Sequence, residues 1–200
     1  MIRLNIDGKD IWAKEGSTIL EAAQLYGIEI PTLCHHPVLT PYGACRLCSV
    51  EIIQKGRSRV VISCLYPVSE GLEVKVNSER VARLRRSILE LLLARCSKSE
   101  KIRELAREVG ISEPRFKVED DDCILCGLCV RACREISEKK ILAFVGRGTQ
   151  KEVAAPFFEP SPECIECGAC AYLCPTGAIR YEDGKLIFPW MKKTSAVGIT

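Results

Sequence analysis

The sequence of 200 residues lacks the features that mark several large classes of protein. Its formal net charge of +3 is too small to imply a nucleic-acid partner. Its longest apolar run, residues 88–94, is interrupted by Glu90 and is far too short to cross a bilayer. We expect no signal peptide before residues 1–6. We therefore expect a cytoplasmic protein without a membrane span, with a peripheral place on a membrane complex as the open alternative.

The sequence also lacks the common motifs for binding nucleotides. It contains no G-x-G-x-x-G fingerprint and no recognisable flavin motif. Gly146-Arg147-Gly148 is too short for a phosphate loop. We therefore predict no catalytic residue and no nucleotide-binding residue, so that any hydride chemistry must take place on another chain.

Cysteine, by contrast, is abundant, and eight of the 13 cysteines form two copies of one pattern. Residues 123–133 read C-I-L-C-G-L-C-V-R-A-C, and residues 164–175 read C-I-E-C-G-A-C-A-Y-L-C-P. Each copy is C-x2-C-x2-C-x3-C, in which three cysteines hold one iron-sulphur cubane and the fourth ligates the neighbouring cubane. The spacing predicts one [4Fe-4S] cluster on Cys123, Cys126, Cys129 and Cys174, and a second on Cys164, Cys167, Cys170 and Cys133.

Glycines occupy the same place in both copies. Gly127 and Gly168 lack a β-carbon, and we expect them to let main-chain amides approach the inorganic sulphurs. Pro175 follows the last cysteine of the second copy, whereas Arg134 stands there in the first. This difference leaves the ligands untouched and changes the charge beside the second cluster.

Structural zinc and disulfides are the alternatives for these cysteines. Zinc sites usually use two separated pairs of ligands, whereas each copy here has a tight run of three and an offset fourth. An odd number of cysteines in metal-type spacing indicates a reducing compartment. Iron-sulphur ligation is therefore the favoured interpretation.

Residues 1–77 predict a β-grasp domain, in which a small sheet wraps one helix. Alternating apolar residues around Asp7-Gly8 indicate a hairpin, and Thr18 with Glu21 predicts a capping box at the start of a helix. Three more strands are predicted at residues 49–54, 59–63 and 72–76.

The loop of this domain contains four cysteines in the spacing C-x10-C-x2-C-x15-C, which predicts a [2Fe-2S] cluster on Cys34, Cys45, Cys48 and Cys64. The first gap is longer than in plant-type ferredoxins, and structural zinc is the alternative. Gly43-Ala44 is small enough for amides to approach the cluster. His35 and His36 could be Rieske-type ligands, but four cysteines already fill the site, so we expect the histidines near the site or on the surface.

Residues 78–112 predict a linker of two helices. The first is capped by Asn77 or Ser78, and the second starts at a capping box formed by Ser97 and Glu100. Cys96 is expected to be an unliganded thiol. The predicted apolar stripe of the first helix is Val81, Leu84, Ile88, Leu91 and Leu92. Four arginines of that helix are predicted to form a solvated face, with a docking patch for an acidic partner as the alternative, namely Arg80, Arg83, Arg85 and Arg86.

Residues 113–183 are predicted to form the dicluster domain and residues 184–200 a carboxy-terminal tail. The acidic residues 119–122 precede the first ligand, and we expect them on the surface, where they would bias the cluster towards low potential. Residues 141–145 predict a strand. The aromatic segment 186–191 either packs on the domain or docks into a partner.

The order of these parts resembles known proteins. The motifs I-P-T-L-C-H-H-P at residues 30–37 and Y-G-A-C-R-L-C at 42–48, a later S-C, a helical linker and the dicluster repeat span residues 1–182. Together they resemble the cluster-bearing amino-terminal region of the large iron-sulphur subunit of NADH:quinone oxidoreductase. They resemble equally the small diaphorase-type iron-sulphur subunits of soluble NAD-linked hydrogenases, formate dehydrogenases and electron-bifurcating complexes.

One departure from the quinone oxidoreductase family concerns the linker. That family normally carries a further [4Fe-4S] cluster there, on one histidine and three cysteines, whereas Cys96 is the only cysteine of this linker and no histidine follows His36. We therefore expect that cluster to be absent, which favours the soluble complexes.

The sequence therefore predicts an α+β protein made of a β-grasp [2Fe-2S] ferredoxin module, a helical linker and a bacterial-type 2[4Fe-4S] ferredoxin module. We expect an electron-transfer subunit without a substrate site of its own. The resemblance implies a hetero-oligomeric complex, with a flavoprotein subunit that binds flavin and oxidises NAD(P)H and with a terminal oxidoreductase subunit. The alternatives are a subunit of a respiratory NADH:quinone oxidoreductase-like complex, a self-contained NAD(P)H reductase and a zinc-bound interaction module.

Overall fold

The computed structural model describes residues 1–119 and 121–191. The chain divides into two compact units, of which one comprises Met1–His35 and Pro41–Leu89 and the other His36–Thr40 and Glu90–Thr200. None of the helices in the described residues is both long and apolar enough to span a membrane.

A five-stranded mixed sheet forms the first unit, in the strand order β2-β1-β5-β3-β4. The strands are β1 (Ile2–Ile6), β2 (Lys9–Ala13), β3 (Ser49–Gln54), β4 (Arg57–Ile62) and β5 (Leu72–Lys75). The predicted hairpin joins β1 to β2, with Leu4 opposite Ile11. β1 pairs in parallel with β5, and β3 pairs antiparallel with both β5 and β4. The strands predicted within residues 49–76 are therefore present, with bounds that differ by at most two residues.

Helix α1 (Ile19–Leu25) packs on this sheet and has the predicted amino-terminal cap. The Glu21 amide donates to Thr18 Oγ1 at 3.2 Å, and the Thr18 amide donates to the Glu21 carboxylate at 2.7 Å. Ile19 and Leu20 are fully buried with residues of β1, β3 and β5. Burying one such side chain contributes about 1.5–3 kcal/mol, so this shared core holds the helix on the sheet.

Helix α2 (Glu79–Arg95) begins where the sequence predicts but buries a different face. Ser78 Oγ accepts a hydrogen bond from the Val81 amide at 3.3 Å. Leu84 and Leu91 of the predicted stripe are 37% and 55% exposed. A buried stripe recurs every four residues instead, at Val81, Arg85, Leu89 and Leu93, and Glu90 and Ala94 beside it are buried as well. The prediction was wrong because it assumed that an arginine would face solvent, and Arg85 continues the buried stripe.

Helix α3 (Glu100–Glu108) starts at Ser99, which makes no side-chain cap. The predicted capping box of Ser97 and Glu100 is therefore wrong, because the residue before the helix is Ser99 and not Ser97. Ile102 and Ala106, spaced by one helical turn, are fully buried.

The dicluster region consists of two short helices and two small hairpins. Helices α4 (Leu128–Glu135) and α5 (Ala169–Tyr172) each contain cysteines of one repeat. β6 (Ala143–Val145) pairs antiparallel with β7 (Glu152–Ala154), and β8 (Arg180–Glu182) pairs antiparallel with β9 (Lys185–Ile187). The strand predicted at 141–145 is β6, shortened at its start.

Leu186, Phe188 and Trp190 of the carboxy-terminal tail are buried in the core of this region. Phe188 and Trp190 stack with ring centroids 4.4 Å apart, and they are only 7% and 1% exposed. Their neighbours in the core include Leu142, Val153 and Ile179. Of the two alternatives for this segment, packing on the domain is correct and docking into a partner is wrong, because these rings are already covered. The remaining tail residues, 192–200, lie outside the described part.

Candidate metal centres

The four cysteines of the first unit lie together in its core. Cys34, Cys48 and Cys64 are 1% exposed and Cys45 is 8% exposed. The Cys45 amide donates to Cys34 Sγ at 3.4 Å, and Cys48 Sγ lies 3.4 Å from Cys64 Sγ. The structure therefore brings the predicted set together as two adjacent pairs, Cys34 with Cys45 and Cys48 with Cys64.

The pKa values of these thiols indicate that the site needs a positive charge to ionise all four of them. Hydrogen bonding to Cys34 and burial raise the pKa of Cys45, and the same causes, with Cys48 as the partner, raise the pKa of Cys64. The hydrogen bond with Cys64 lowers the pKa of Cys48 to about 7. Each pair can thus hold one negative charge, and a second thiolate would be repelled in this apolar core. A bound metal would supply the positive charge needed to ionise all four, so the donor set fits a metal-sulphur cluster.

The loop that contains Cys45 and Cys48 is shaped by its backbone and by one buried cation. Arg46 adopts a left-handed conformation with φ of 63°. Arg85 of α2 is only 7% exposed and hydrogen-bonds to the carbonyls of Leu47 and Ser49. The predicted solvated arginine face is wrong for Arg85. Its position one turn after Val81 and one turn before Leu89 is the sequence signal that could have identified it.

The absence of a β-carbon at Gly43 leaves room for a neighbouring side chain. A β-carbon there would lie 2.6 Å from Cδ1 of Leu65. The small size of this residue therefore makes room for a leucine side chain. That Gly43-Ala44 also lets amides approach the cluster stays a prediction.

The two dicluster repeats have the same backbone conformation. Leu125 and Glu166, which occupy equivalent places, have φ of 54° and 50°. Gly127 and Gly168 follow with φ of 71° and 74°, and a helix begins directly after each of them. Non-glycine residues rarely adopt positive φ, and such conformations cluster at ligand-binding sites. The internal repeat is thus a repeat of structure as well as of sequence.

Two cavities in this region are each lined by cysteines of both repeats. One is lined by Cys123, Cys126, Cys129 and Cys174. The other, of about 440 Å³, is lined by Cys164, Cys167, Cys170 and Cys133. In each cavity, three cysteines come from one copy of the motif and the fourth from the other copy. This arrangement brings together the eight cysteines in the sets that the spacing predicts.

Amides and hydroxyls around these cavities point at sulphur. The Leu125 amide donates to Cys123 Sγ at 3.4 Å, and the Ile141 amide donates to Cys133 Sγ at 3.3 Å. Ser137 Oγ donates to the Cys133 carbonyl and lies 3.8 Å from its sulphur. Hydrogen bonds to thiolate favour the ionised ligand, which is the form that binds metal.

Burial opposes ionisation of the same cysteines in the absence of a cation. It raises the pKa of Cys123 and of Cys129, and it raises the pKa of Cys170 to about 11. The neighbouring cysteines of the same cavity raise these pKa values further. The donor sets thus fit a group that contributes positive charge to several thiolates at once.

The sulphurs do not form compact sites for a single ion. Within residues 1–119 and 121–191, no three side chains of His, Cys, Asp or Glu are close enough to hold one metal ion. An iron-sulphur cluster distributes its ligands over several iron atoms and so holds them around a larger body.

Arg95 and Asp121 hold the main chain of Cys123, the first cysteine of the first motif. Arg95 Nε donates to the Cys123 carbonyl at 2.7 Å, and its guanidinium pairs with Asp121 at 2.7 Å. The Cys123 amide donates to the Asp121 carboxylate at 2.9 Å. Asp121 was expected on the surface, but its side chain is only 20% exposed. Asp120, in the same acidic run, lies outside the described residues.

Cys96 is fully buried and belongs to neither cavity. Burial raises its pKa, and Asp121 and Cys123 raise it further. A thiol that stays protonated is a poor nucleophile and a poor metal ligand.

The two cavities differ in their access to solvent. Cys126 and Cys129 of the first are both 7% exposed. In the second, Cys167 is exposed, and Ile165 beside it is 58% exposed. Tyr172, two residues after Cys170, is 88% exposed. With one exposed cysteine, against two partly exposed ones in the first cavity, the second cavity is the more exposed of the two.

Sequence families match the same two regions. Residues 1–79 match the family described as a 2Fe-2S iron-sulfur cluster binding domain, and residues 122–178 match the 4Fe-4S dicluster domain. The fold class is therefore a mixed α/β protein with a 2Fe-2S domain followed by a 4Fe-4S dicluster domain.

Longer proteins contain a segment similar to this chain. The NADP-reducing hydrogenase subunit HndD of Solidesulfovibrio fructosivorans is 36% identical over 90% of this chain and 36% of its own length. The mitochondrial NADH-ubiquinone oxidoreductase 78 kDa subunit of Neurospora crassa is 29% identical over 99% of this chain and 30% of its own length. This chain thus spans about a third of the length of these curated relatives.

A solved structure matches over nearly its whole length. A chain in the crystal structure of NAD+-reducing [NiFe]-hydrogenase in the H2-reduced state is 32% identical, with a TM-score of 0.74. The match covers 91% of this chain and 88% of that chain. The resemblance inferred from the motifs is thereby confirmed, and the protein belongs to the iron-sulphur family that this hydrogenase chain shares with the corresponding segments of the two longer relatives.

Proposed function

We propose that this chain is an electron-transfer subunit of an NAD(P)H-linked oxidoreductase complex and that it carries one [2Fe-2S] and two [4Fe-4S] clusters. The observation that carries the proposal is the pair of cavities, each lined by three cysteines of one repeat and the fourth cysteine of the other. Crossed sets of this kind are what two cubanes in one domain require, and separate zinc sites do not require them.

Twelve cysteines are the proposed ligands. Cys34, Cys45, Cys48 and Cys64 hold the [2Fe-2S] cluster in a β-grasp module of residues 1–77. The first [4Fe-4S] cluster is held by Cys123, Cys126, Cys129 and Cys174, and the second by Cys164, Cys167, Cys170 and Cys133. Both belong to a dicluster module of residues 113–183, which follows a helical linker of residues 78–112.

Such clusters, when bound, take up and release single electrons. The chain's own residues ligate them with sulphur, donate main-chain hydrogen bonds to that sulphur and keep water from most of it. Because each proposed cluster has four protein ligands, we assign no substrate site to this chain.

The proposed partners follow from the chemistry of the nicotinamide. A hydride carries two electrons at once, so a flavin must lie between NAD(P)H and carriers that accept one electron each. We assign that flavin to a flavoprotein subunit and the final reaction to a terminal oxidoreductase subunit, as in a cytoplasmic hydrogenase-type complex. The names of the relatives, which include an NADP-reducing hydrogenase subunit, support this choice.

One of the two partners is proposed to dock at the second dicluster cavity. The exposed ligand Cys167 and the exposed side chain of Ile165 line this cavity, and the exposed Tyr172 follows its ligand Cys170 by two residues. Exposed apolar groups beside a metal ligand are typical of a surface that another redox protein covers.

The experiment is to reduce the purified, anaerobically reconstituted chain in two ways. Dithionite should bleach its visible absorption, whereas NADH or NADPH should not, and adding a flavoprotein subunit should make NAD(P)H effective. Rapid reduction by NAD(P)H of the chain alone, free of flavin, would contradict the proposal and favour a self-contained reductase.

A further inference from the structure

Arg85 is a charged side chain built into the core beside the four-cysteine site. It is 7% exposed, and three of its nitrogen atoms make hydrogen bonds of ordinary length. Nε donates to the Leu47 carbonyl at 3.0 Å and Nη2 to the Ser49 carbonyl at 2.8 Å. Nη1 donates to Asn77 Oδ1 at 2.8 Å. Burying a guanidinium is costly, so a buried arginine needs several acceptors, as it has here.

The two carbonyls that Arg85 binds stand on either side of one proposed ligand. Leu47 precedes Cys48 and Ser49 follows it. A rigid, planar fork that holds both neighbours fixes the backbone at Cys48 and therefore the direction of its sulphur. Lysine, a point charge on a flexible stem, cannot span two carbonyls in the same way.

The positive charge of Arg85 stays largely uncompensated by its hydrogen-bond partners. The three acceptors described are two main-chain carbonyls and one amide oxygen, all of them neutral. Asp7 and the Cys48 thiolate act on Arg85 as negative charges, while burial lowers its pKa. Arginine nevertheless remains protonated in proteins. A full positive charge therefore stands beside the two carbonyls that flank Cys48, in surroundings of low dielectric constant.

We propose that Arg85 is a positioning residue for the four-cysteine site, which orients Cys48 through its two neighbours and raises the reduction potential of the cluster bound there. This inference rests on the proposed [2Fe-2S] site. Reduction adds one negative charge to that site, and a nearby fixed cation stabilises the reduced form more than the oxidised form. A structural role alone would fix the loop without changing the potential in this direction.

The test uses Arg85→Gln and Arg85→Lys in the full chain, reconstituted anaerobically and titrated with dithionite while the [2Fe-2S] electron paramagnetic resonance signal is recorded. Arg85→Gln should lower the equilibrium constant for reduction by about tenfold, which is a fall of about 59 mV for a one-electron couple. Arg85→Lys keeps the charge and should stay closer to the wild-type potential. Both variants should show faster amide hydrogen exchange at residues 46–49, because neither can hold both carbonyls.

Arg83→Gln is the matched control, since Arg83 lies on the same helix with its side chain 74% exposed. It should leave the potential and the exchange pattern unchanged. The proposal is overturned if Arg85→Gln has the potential and exchange of the control. If Arg85→Gln does not assemble its cluster, Arg85→Lys provides the test. Amide exchange at residues 46–49 as slow as in the wild type would then also overturn the proposal. Absence of a [2Fe-2S] signal in the wild-type chain would instead refute the proposed site itself, so the two failures are distinguishable.

Discussion

The Arg95 guanidinium and the Asp121 carboxylate lie 2.7 Å apart, and both also hold the main chain of Cys123. The same ion pair therefore sets the charge beside Cys123, the first proposed ligand of the dicluster region, and holds its backbone in position. Arg85 binds neutral acceptors, whereas Arg95 faces carboxylates, so these two of the arginines of α2 should influence their nearby sites differently.

Asp121→Asn should raise the potential of the first [4Fe-4S] cluster. The substitution removes one negative charge beside Cys123, and the amide oxygen of asparagine can still accept the Cys123 hydrogen bond. We expect a rise of roughly 50 mV, somewhat less than the ~59 mV of a tenfold change in a one-electron equilibrium. Potentiometry followed by electron paramagnetic resonance measures it. Glu119→Gln is the control, because that side chain is 62% exposed and solvent screens it. An equal shift in both variants would contradict a specific role for Asp121.

Iron and sulphide content tests the number of clusters. A fully reconstituted chain should contain about ten iron atoms, two from the [2Fe-2S] cluster and four from each [4Fe-4S] cluster. Acid-labile sulphide should be present in the same amount. About fourteen iron atoms would mean that the helical linker carries a further cluster, and four or fewer with zinc present would refute the whole assignment.

Crossed ligation predicts which variants resemble each other. Cys174→Ser should perturb the cluster of Cys123, Cys126 and Cys129, although Cys174 belongs to the second repeat in sequence. Its spectrum should therefore match that of Cys126→Ser and differ from that of Cys167→Ser. Cys133→Ser should show the reciprocal result. If Cys174→Ser instead matches Cys167→Ser, each repeat binds its own cluster and the crossed pairing is wrong.

Cys96 should be dispensable for every cluster. Cys96→Ala should leave the signals of all clusters unchanged and cost about 1 kcal/mol or less of stability, since alanine removes only the sulphur from a buried position. Iodoacetamide should not modify Cys96 in the loaded chain between pH 7 and pH 9, because burial raises its pKa. Loss of any cluster signal in Cys96→Ala would contradict this.

Gly168→Ala tests the close approach between the second repeat and the β8–β9 hairpin. An added β-carbon would lie 2.9 Å from the Tyr181 hydroxyl, which itself donates to the Glu166 carbonyl at 2.8 Å. Positive φ alone costs about 1–2 kcal/mol for a residue with a β-carbon. Gly177→Ala is the matched control, with φ of 71° and nothing within 4 Å of the added carbon. Gly168→Ala should lower both the unfolding temperature and the iron content more than the control does. Equal effects would show that the backbone conformation alone matters.

The sequence was most informative where local chemistry decides the structure. Fixed ligand spacing predicted which cysteines come together, and the hairpin at Asp7-Gly8 and the cap at Thr18 were correct because they depend on neighbouring residues. The buried face of α2 was predicted wrongly, since the burial of Arg85 is made favourable by carbonyl acceptors far along the chain, which its spacing to Val81 and Leu89 does not reveal. The burial of Trp190 likewise depends on a core that is formed by distant segments.

The shared lining of the two dicluster cavities has a consequence for assembly. Joining Cys133 to the second repeat at Cys164 closes a loop, and joining Cys123 to Cys174 closes a larger loop that contains the first. The entropic cost of closing a loop grows with its length. Once the inner loop is closed, the outer loop contains fewer free residues, so it costs less entropy to close. The inner set should therefore fill first and prepare the outer one. The order in which iron enters the domain is then determined by the nesting of its two repeats.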